Sequence, residues 1–409
     1  VNDSTLTGAN STTGVGAIQA GNDASSITVN GSTIRGNTAS FQGGVGGAGA
    51  IDIVGSIGAG GGSSLTLTKT GAGILTLSGD NTFTGSTTIS GGGIRLGHAN
   101  ALANSNTVTV NSDNGVLFGS LTSTTIKNLG GTGALDLING DSAAVALTAD
   151  IAASTTRTYS GSISGSGSLR KSGTGTLILS TSNSYAGATT VSNGELRITS
   201  ADALNGTSGV TVESDTANLS LEGIIIGAGK SVSILGRGSN FIGSLQGASG
   251  TSEWQGDVTI SAANTRIGVN SGQLTVSGVI NSGVAAHGIT FRSNEANATT
   301  LVLSGANTYL GATTLATGAI GVVRLTGGNN RLPTSTNLVF GLSSISGVLD
   351  LNGNNQEVTG LSVGQSSGTY ANEIRSATAA TLTVNSSAAS SYSGKISGEV
   401  ALTKTGAST

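Results

Sequence analysis

Apolar and polar residues alternate along this chain in short bursts. Leu65-Thr66-Leu67, Val108-Thr109-Val110, Leu135-Asp136-Leu137, Val210-Thr211-Val212 and Leu219-Ser220-Leu221 come first. Val232-Ser233-Ile234, Val258-Thr259-Ile260, Leu274-Thr275-Val276, Leu349-Asp350-Leu351 and Leu382-Thr383-Val384 follow. A strict period of two turns one face of a backbone toward a core and the other toward water, as a β-strand does. Gly, Asn and Ser separate the bursts, and a helical period is almost absent. Many short strands predict an all-β fold, either sandwich, barrel or solenoid. A solenoid fits best, because small residues let the chain turn tightly at each corner and a thin core of Leu, Ile and Val suffices. At an assumed ~20–25 residues per coil and ~4.8 Å between stacked strands, the pattern predicts a rod on the order of 80–100 Å long.

A longer period contains these bursts. Lys69-Thr70-Gly71-Ala72-Gly73 opens a block that runs through Leu75-Thr76-Leu77, Asn81-Thr82-Phe83 and Gly85 to Ile94-Arg95-Leu96. The block recurs 102 residues later, as Lys171-Ser172-Gly173-Thr174-Gly175, Leu177-Ile178-Leu179, Asn183-Ser184-Tyr185, Gly187 and Leu196-Arg197-Ile198. A looser third copy has Arg292-Ser293, Leu301-Val302-Leu303, Asn307-Thr308-Tyr309, Gly311 and Arg324-Leu325. The chain divides accordingly into a divergent, glycine-rich segment (1–62), three repeat units (63–165, 166–282 and 283–398) and the start of a further repeat (399–409). Gly71, Gly73, Gly79, Gly85 and Gly173 suit corners that need positive φ or close backbone approach. Asn81, Asn183 and Asn307 occupy one turn position, where an amide side chain can satisfy corner backbone groups. Phe83, Tyr185 and Tyr309 read as corner plugs, and Lys69, Arg170, Lys171, Arg292 and Lys404 as solvated cations on strand faces.

The phrase T-K-T-G-x-G-x-L-T-L-S-G-x-N-T-[FY]-x-G, written out at 68–85 and closely matched at 171–187, resembles the passenger-associated β-strand repeat of bacterial autotransporters and related giant surface proteins. The resemblance covers about a third of the chain, flanks included. It implies a right-handed parallel β-helix exposed outside the cell, with the repeat aiding secretion and folding and not catalysis. The membrane barrel that follows such passengers in the family has no counterpart in these 409 residues.

Composition narrows the chemistry. Glycine accounts for 68 positions, proline for one, and cysteine and methionine for none; charged residues make up 9%. Without cysteine there are neither disulfides nor thiolate metal sites. The net charge of −3 and scattered cations argue against a nucleic-acid partner. No apolar run approaches the ~20 residues of a membrane helix. A start at Val1 with no methionine is expected of a processed or excised piece. His98 and His287 read as turn residues, and "GDSAA" (140–144) lacks the surroundings of a serine nucleophile. Asp136, Glu213 and Asp350 fall in outward slots, where stacking could gather acids as in sugar-cleaving β-helix enzymes, but solvated strand faces explain them as well. No catalytic residue, cofactor or metal is assigned.

The chain opens with the second half of a repeat (Leu6, Asn10) and closes with the first half (Leu402, Lys404, Gly406), so joining one end to the other nearly completes a copy. The expected partner is therefore the chain itself, stacked head to tail or continued in a longer protein. The reading that results is an extracellular structural β-solenoid on a bacterial surface: a stalk, layer or filament segment. An adhesin binding host or glycan surfaces is one alternative, with Trp254 as its first candidate contact, although that ring reads more readily as a buried plug. A polysaccharide-cleaving enzyme is another.

Overall fold

A computed structural model describes residues 66–365 and 371–407, together with the backbone of five strands within 4–53. The chain forms two compact units, one of residues 1–189 with 202–208, the other of residues 190–201 with 209–409. Among the described residues every element is a strand, and every ladder between named strands is parallel. Each unit is a β-solenoid.

In the first unit one face is a ladder of Ser4–Thr7, Ile27–Asn30, Ile51–Ile53, Ile74–Leu77, Gly93–Leu96 and Val116–Leu117. A second face stacks Gly16–Gln19, Thr38–Gln42, Thr66–Thr70, Thr87–Ile89, Val108–Val110, Gly130–Gly131, Thr156–Tyr159 and Thr176–Leu179. A third begins later, with Ser123–Lys127, Ala146–Asp150 and Ser168–Ser172. Leu67 lies beside Thr87 and Thr87 beside Val108, so one coil takes 20 or 21 residues here.

The second unit repeats the scheme. Its longest ladder runs from Gly194–Ile198 through Ala217–Glu222, Leu245–Ser249, Thr265–Val269, Ile289–Ser293, Thr313–Ala316 and Asn337–Phe340 to Gly360–Val363. Val210–Val212, Val232–Ile234, Val258–Ile260 and Ile280–Asn281 form a second face. The third holds Thr251–Trp254, Gly272–Val276, Thr299–Leu303 and the long strands Glu373–Asn385 and Lys395–Thr405.

The alternation maps directly onto burial. Leu67, Leu75, Leu77, Ile89, Ile94, Leu96, Val108 and Val110 are each 0% exposed, with a half-exposed or exposed residue between successive members of a strand. Like residues stack on like, and each buried aliphatic contributes about 1.5–3 kcal/mol. Corners demand glycine at a few points. Gly173 has φ +71, and a β-carbon there would lie 2.2 Å from the Ile151 carbonyl oxygen on the preceding coil. Gly173→Ala is expected to cost about 1–3 kcal/mol from backbone strain alone, read as a lower urea midpoint with an unchanged circular-dichroism spectrum.

Candidate functional site: the repeated corner

The most organised polar chemistry lies inside the corners of the three repeats. Asn183 is 2% exposed; its Oδ1 accepts the Ile163 N–H at 2.8 Å, and its Nδ2 donates to the Ala203 carbonyl at 2.9 Å. One side chain thus links the coil before it to the coil after it. Asn307 does the same in the second unit, from Ile280 N–H (2.8 Å) to the Arg331 carbonyl (2.7 Å). Asn81 donates to the Ala101 carbonyl at 2.9 Å. Parallel coils leave backbone groups unpaired where strands end, and a short amide carrying both donor and acceptor reaches them.

Two residues on, the aromatic side chain enters the core. Tyr185 and Tyr309 are 0% exposed and Phe83 is 1%. The Tyr185 hydroxyl meets Thr189 Oγ1 at 2.6 Å, which donates to Thr207 Oγ1 at 3.0 Å, which in turn donates to the Gly187 carbonyl at 2.8 Å. The third repeat reproduces the chain as Tyr309, Thr313, Thr336 and the Gly311 carbonyl. In the first, where phenylalanine replaces tyrosine, the remainder persists as Thr87, Ser105 and the Gly85 carbonyl. Burial pushes the Tyr185 phenol up to about 12, so the hydroxyl stays a neutral donor.

Lys69 and Lys171 overturn the expectation of solvated cations. They are 1% and 0% exposed. Each occupies the inward slot two residues after a core leucine: Lys69 stacks on Ile89 of the next coil, Lys171 on Ala149 of the previous one. The ammonium then bends to the corner. Lys69 Nζ donates to the carbonyls of Thr70, Gly71 and Gly91 at 2.9, 2.8 and 3.0 Å. Lys171 Nζ donates to those of Ser172 and Gly173 at 2.9 and 2.8 Å. Gly71, like Gly173, has positive φ, which aims these carbonyls at the amine. Arg170 and Lys404 are exposed, whereas Arg292 is half-buried.

Burial lowers the Lys69 pKa from 10.5 to about 8. Between those two values the unfolded chain binds more protons than the folded one, so stability rises with pH through the window and levels off above 10.5. Relative to Lys69→Met, which has no proton to release, the wild type should gain in urea midpoint from pH 8 to pH 10.5. A difference that stays flat across the window would show the ammonium unperturbed.

The other sequence candidates are dispersed. Trp254 is 0% exposed, between Ile226 and Val276 in neighbouring coils, so of its two readings the structure shows the buried plug and not the exposed glycan contact. Gly73 shows no positive φ. Asp350 is 8% exposed and accepts Arg324 Nε at 2.9 Å; Asp136 accepts the Ser164 hydroxyl at 3.2 Å; Glu213 is exposed on another unit from Asp136. His98 Nδ1 accepts the Asn100 N–H within its turn. Among the described residues no group of three or more His, Cys, Asp or Glu could hold a metal ion, and no helix is long and apolar enough to cross a membrane. Asn10 lies outside the described residues, and Leu6 belongs to Ser4–Thr7, of which the backbone alone is described. Lys395–Thr405 pairs on one edge with Glu373–Asn385; it exposes Leu402 at 54%, and Gly406 follows at φ +82.

Comparison with known proteins agrees with the corners. The passenger-associated-transport-repeat model matches residues 67–96, 169–198 and 296–322. The Adhesin BmaC autotransporter of Brucella suis biovar 1 (strain 1330) is 34% identical over 262 residues, 62% of this chain; the match spans 7% of that protein's length. No solved structure matches. Three segments of the chain thus match the passenger-associated transport repeat, each with its asparagine and aromatic ring in the same corner, and the chain is similar in sequence to part of an autotransporter adhesin.

Proposed function

We propose that this chain is a non-catalytic passenger segment displayed outside the bacterial cell, where it serves as a structural spacer. The observation that supports this reading most is the corner network. Asparagine, threonine and lysine donors in the repeats are spent on the chain's own carbonyls, coil after coil, which makes a stiff stack whose polar groups are directed inward. Among the described residues Lys395–Thr405 pairs along one edge and exposes Leu402, so the same proposal has a further strand adding to its other edge.

A second reading, an adhesin segment that itself touches a host or glycan surface, is favoured by the name of its relative, an adhesin. Exchange separates the two. In a displayed full-length passenger, these residues are replaced by an unrelated β-solenoid with the same number of coils, and attachment to host cells is counted. A spacer is replaceable, so attachment should persist. Loss of attachment with surface display intact would overturn the spacer reading in favour of direct contact.

A further inference from the structure

One coil of the second unit is longer than its neighbour. Leu219 lies beside Leu245, 26 residues on, whereas Leu245 lies beside Ile267, 22 on. The longer coil carries a loop, 237–243, flanked by Gly236 with φ +83 and containing Gly238 with the same value. This loop lies across the outer side of the sheet. Ser239 hydrogen-bonds Asn218, and Ile242 sits over Gly268, where a β-carbon would come within 2.3 Å of its carbonyl oxygen. The outward-facing Asn218, Ser220 and Gln246 are consequently 0, 0 and 2% exposed.

Within the loop Phe241 is 50% exposed and held at φ +63. A bulky side chain with left-handed backbone is an outlier, and such strain concentrates at binding and switch sites. Two arginines hold it. Arg266 Nη1 donates to the Phe241 carbonyl at 2.7 Å, and the Arg237 guanidinium stands 5.1 Å from the ring centroid. Arg237, which stands against the ring, also lines a groove of about 610 Å³ together with Asp215, Asn264, Arg266, Thr290 and Leu342. Asp215 pairs with Arg237 (Nε to Oδ2, 2.9 Å), and Arg292 lies 3.6 Å from Glu295. Arg266 makes a hydrogen bond to a carbonyl and, among the described residues, has no carboxylate in ion-pair contact. Its pKa is lowered by burial and by the Arg292 and Arg237 charges, with the Asp215 carboxylate acting in the opposite direction, so the three guanidiniums and this one acid share a field. The Nε of Arg292 is buried without a hydrogen-bond partner.

We propose that this loop and groove bind an acidic saccharide, with Phe241 against the apolar face of a sugar ring and Arg266 on its carboxylate. An arginine with spare donors takes a carboxylate strongly, and an aromatic face suits the C–H side of a pyranose. Asp215, Asn264 and Thr290 supply acceptors and donors for the several hydroxyls that a sugar ring presents. The volume falls in the range of small-ligand sites. The inference rests on the contact-making reading for its biological role, but not for its chemistry.

Titration calorimetry on the purified 409-residue chain tests it, with trigalacturonate and sialyllactose as probes. Binding is expected for at least one probe, weakened about tenfold or more by Arg266→Gln and by Phe241→Gly. Methyl esterification of the bound probe should abolish binding. Because glycine adopts φ +63 freely, Phe241→Gly should leave the melting temperature unchanged or raised while binding falls, an outcome that a merely structural ring would not give. No binding of either probe at about 10 mM, unaltered binding by both variants, or equal affinity for hexaglutamate would each overturn it. The two experiments read different quantities: failure to bind either probe leaves the spacer reading standing, and attachment that persists after coil exchange leaves probe binding by the purified chain standing.

Discussion

Asn183→Ala should destabilise the first unit by about 2–4 kcal/mol, although it removes only a small polar side chain. Alanine leaves the Ile163 N–H and the Ala203 carbonyl buried and unmatched, each at a cost of about 1–3 kcal/mol. Part of that is relieved if a water molecule enters the corner. Asn307→Ala repeats the experiment in the second unit, where Ile280 and Arg331 lose the same bridge. Asn183→Asp sharpens it. The carboxylate keeps the acceptor, loses the donor and buries a charge, so this variant should be worse than alanine at neutral pH and recover as acid protonates it. Urea unfolding followed by circular dichroism gives the values. A loss below about 0.5 kcal/mol for both alanine variants would show that water replaces the amide at no cost.

Trp254→Ala should be costlier still, about 3–5 kcal/mol, because it removes the largest fully buried side chain from a closed stack. Trp254→Phe separates packing from polarity. The indole Nε1 is buried without a hydrogen-bond partner, so phenylalanine gives up volume but also removes a donor that nothing accepts. Its cost should be less than half that of alanine. Equal costs would mean that the N–H finds an acceptor in solution. Intrinsic fluorescence adds a check in the unsubstituted chain: the lone tryptophan should emit at short wavelength and shift to the red on unfolding.

Lys69 and Trp254 show where reading from sequence succeeds and where it stops. The period of two already placed Lys69 in phase with Leu67 and Lys171 in phase with Leu169, hence inward. The habit of putting lysine in water overrode that phase. What the pattern lacked was the set of corner carbonyls from the next coil that makes an inward ammonium tolerable. Around Trp254 there was no such phase, since Ser252-Glu253-Trp254-Gln255 carries no second apolar residue to fix inside from outside. Its neighbours Ile226 and Val276 are distant in sequence and define the inward side only once the coils stack. The hydroxyl chain from Tyr185 to Thr207, and the pairing of Phe241 with Arg266, likewise join residues of separate coils.

The residues alone determined that the chain is all-β, that its strands are short, that it coils, and which asparagines and aromatics recur. These are local consequences of side-chain alternation and of turn-forming residues, and they survive any change in how coils align. The alignment itself was decided by the tertiary structure. Leu75 and Leu77 of the first repeat lie on one face of the first unit, while Leu177 and Leu179 of the second lie on another, because the repeat is not a whole number of coils. Which lysine becomes a corner cap, which aromatic is sealed and which loop lies over an outer face all follow from register between coils, and register is set by packing summed over the whole stack.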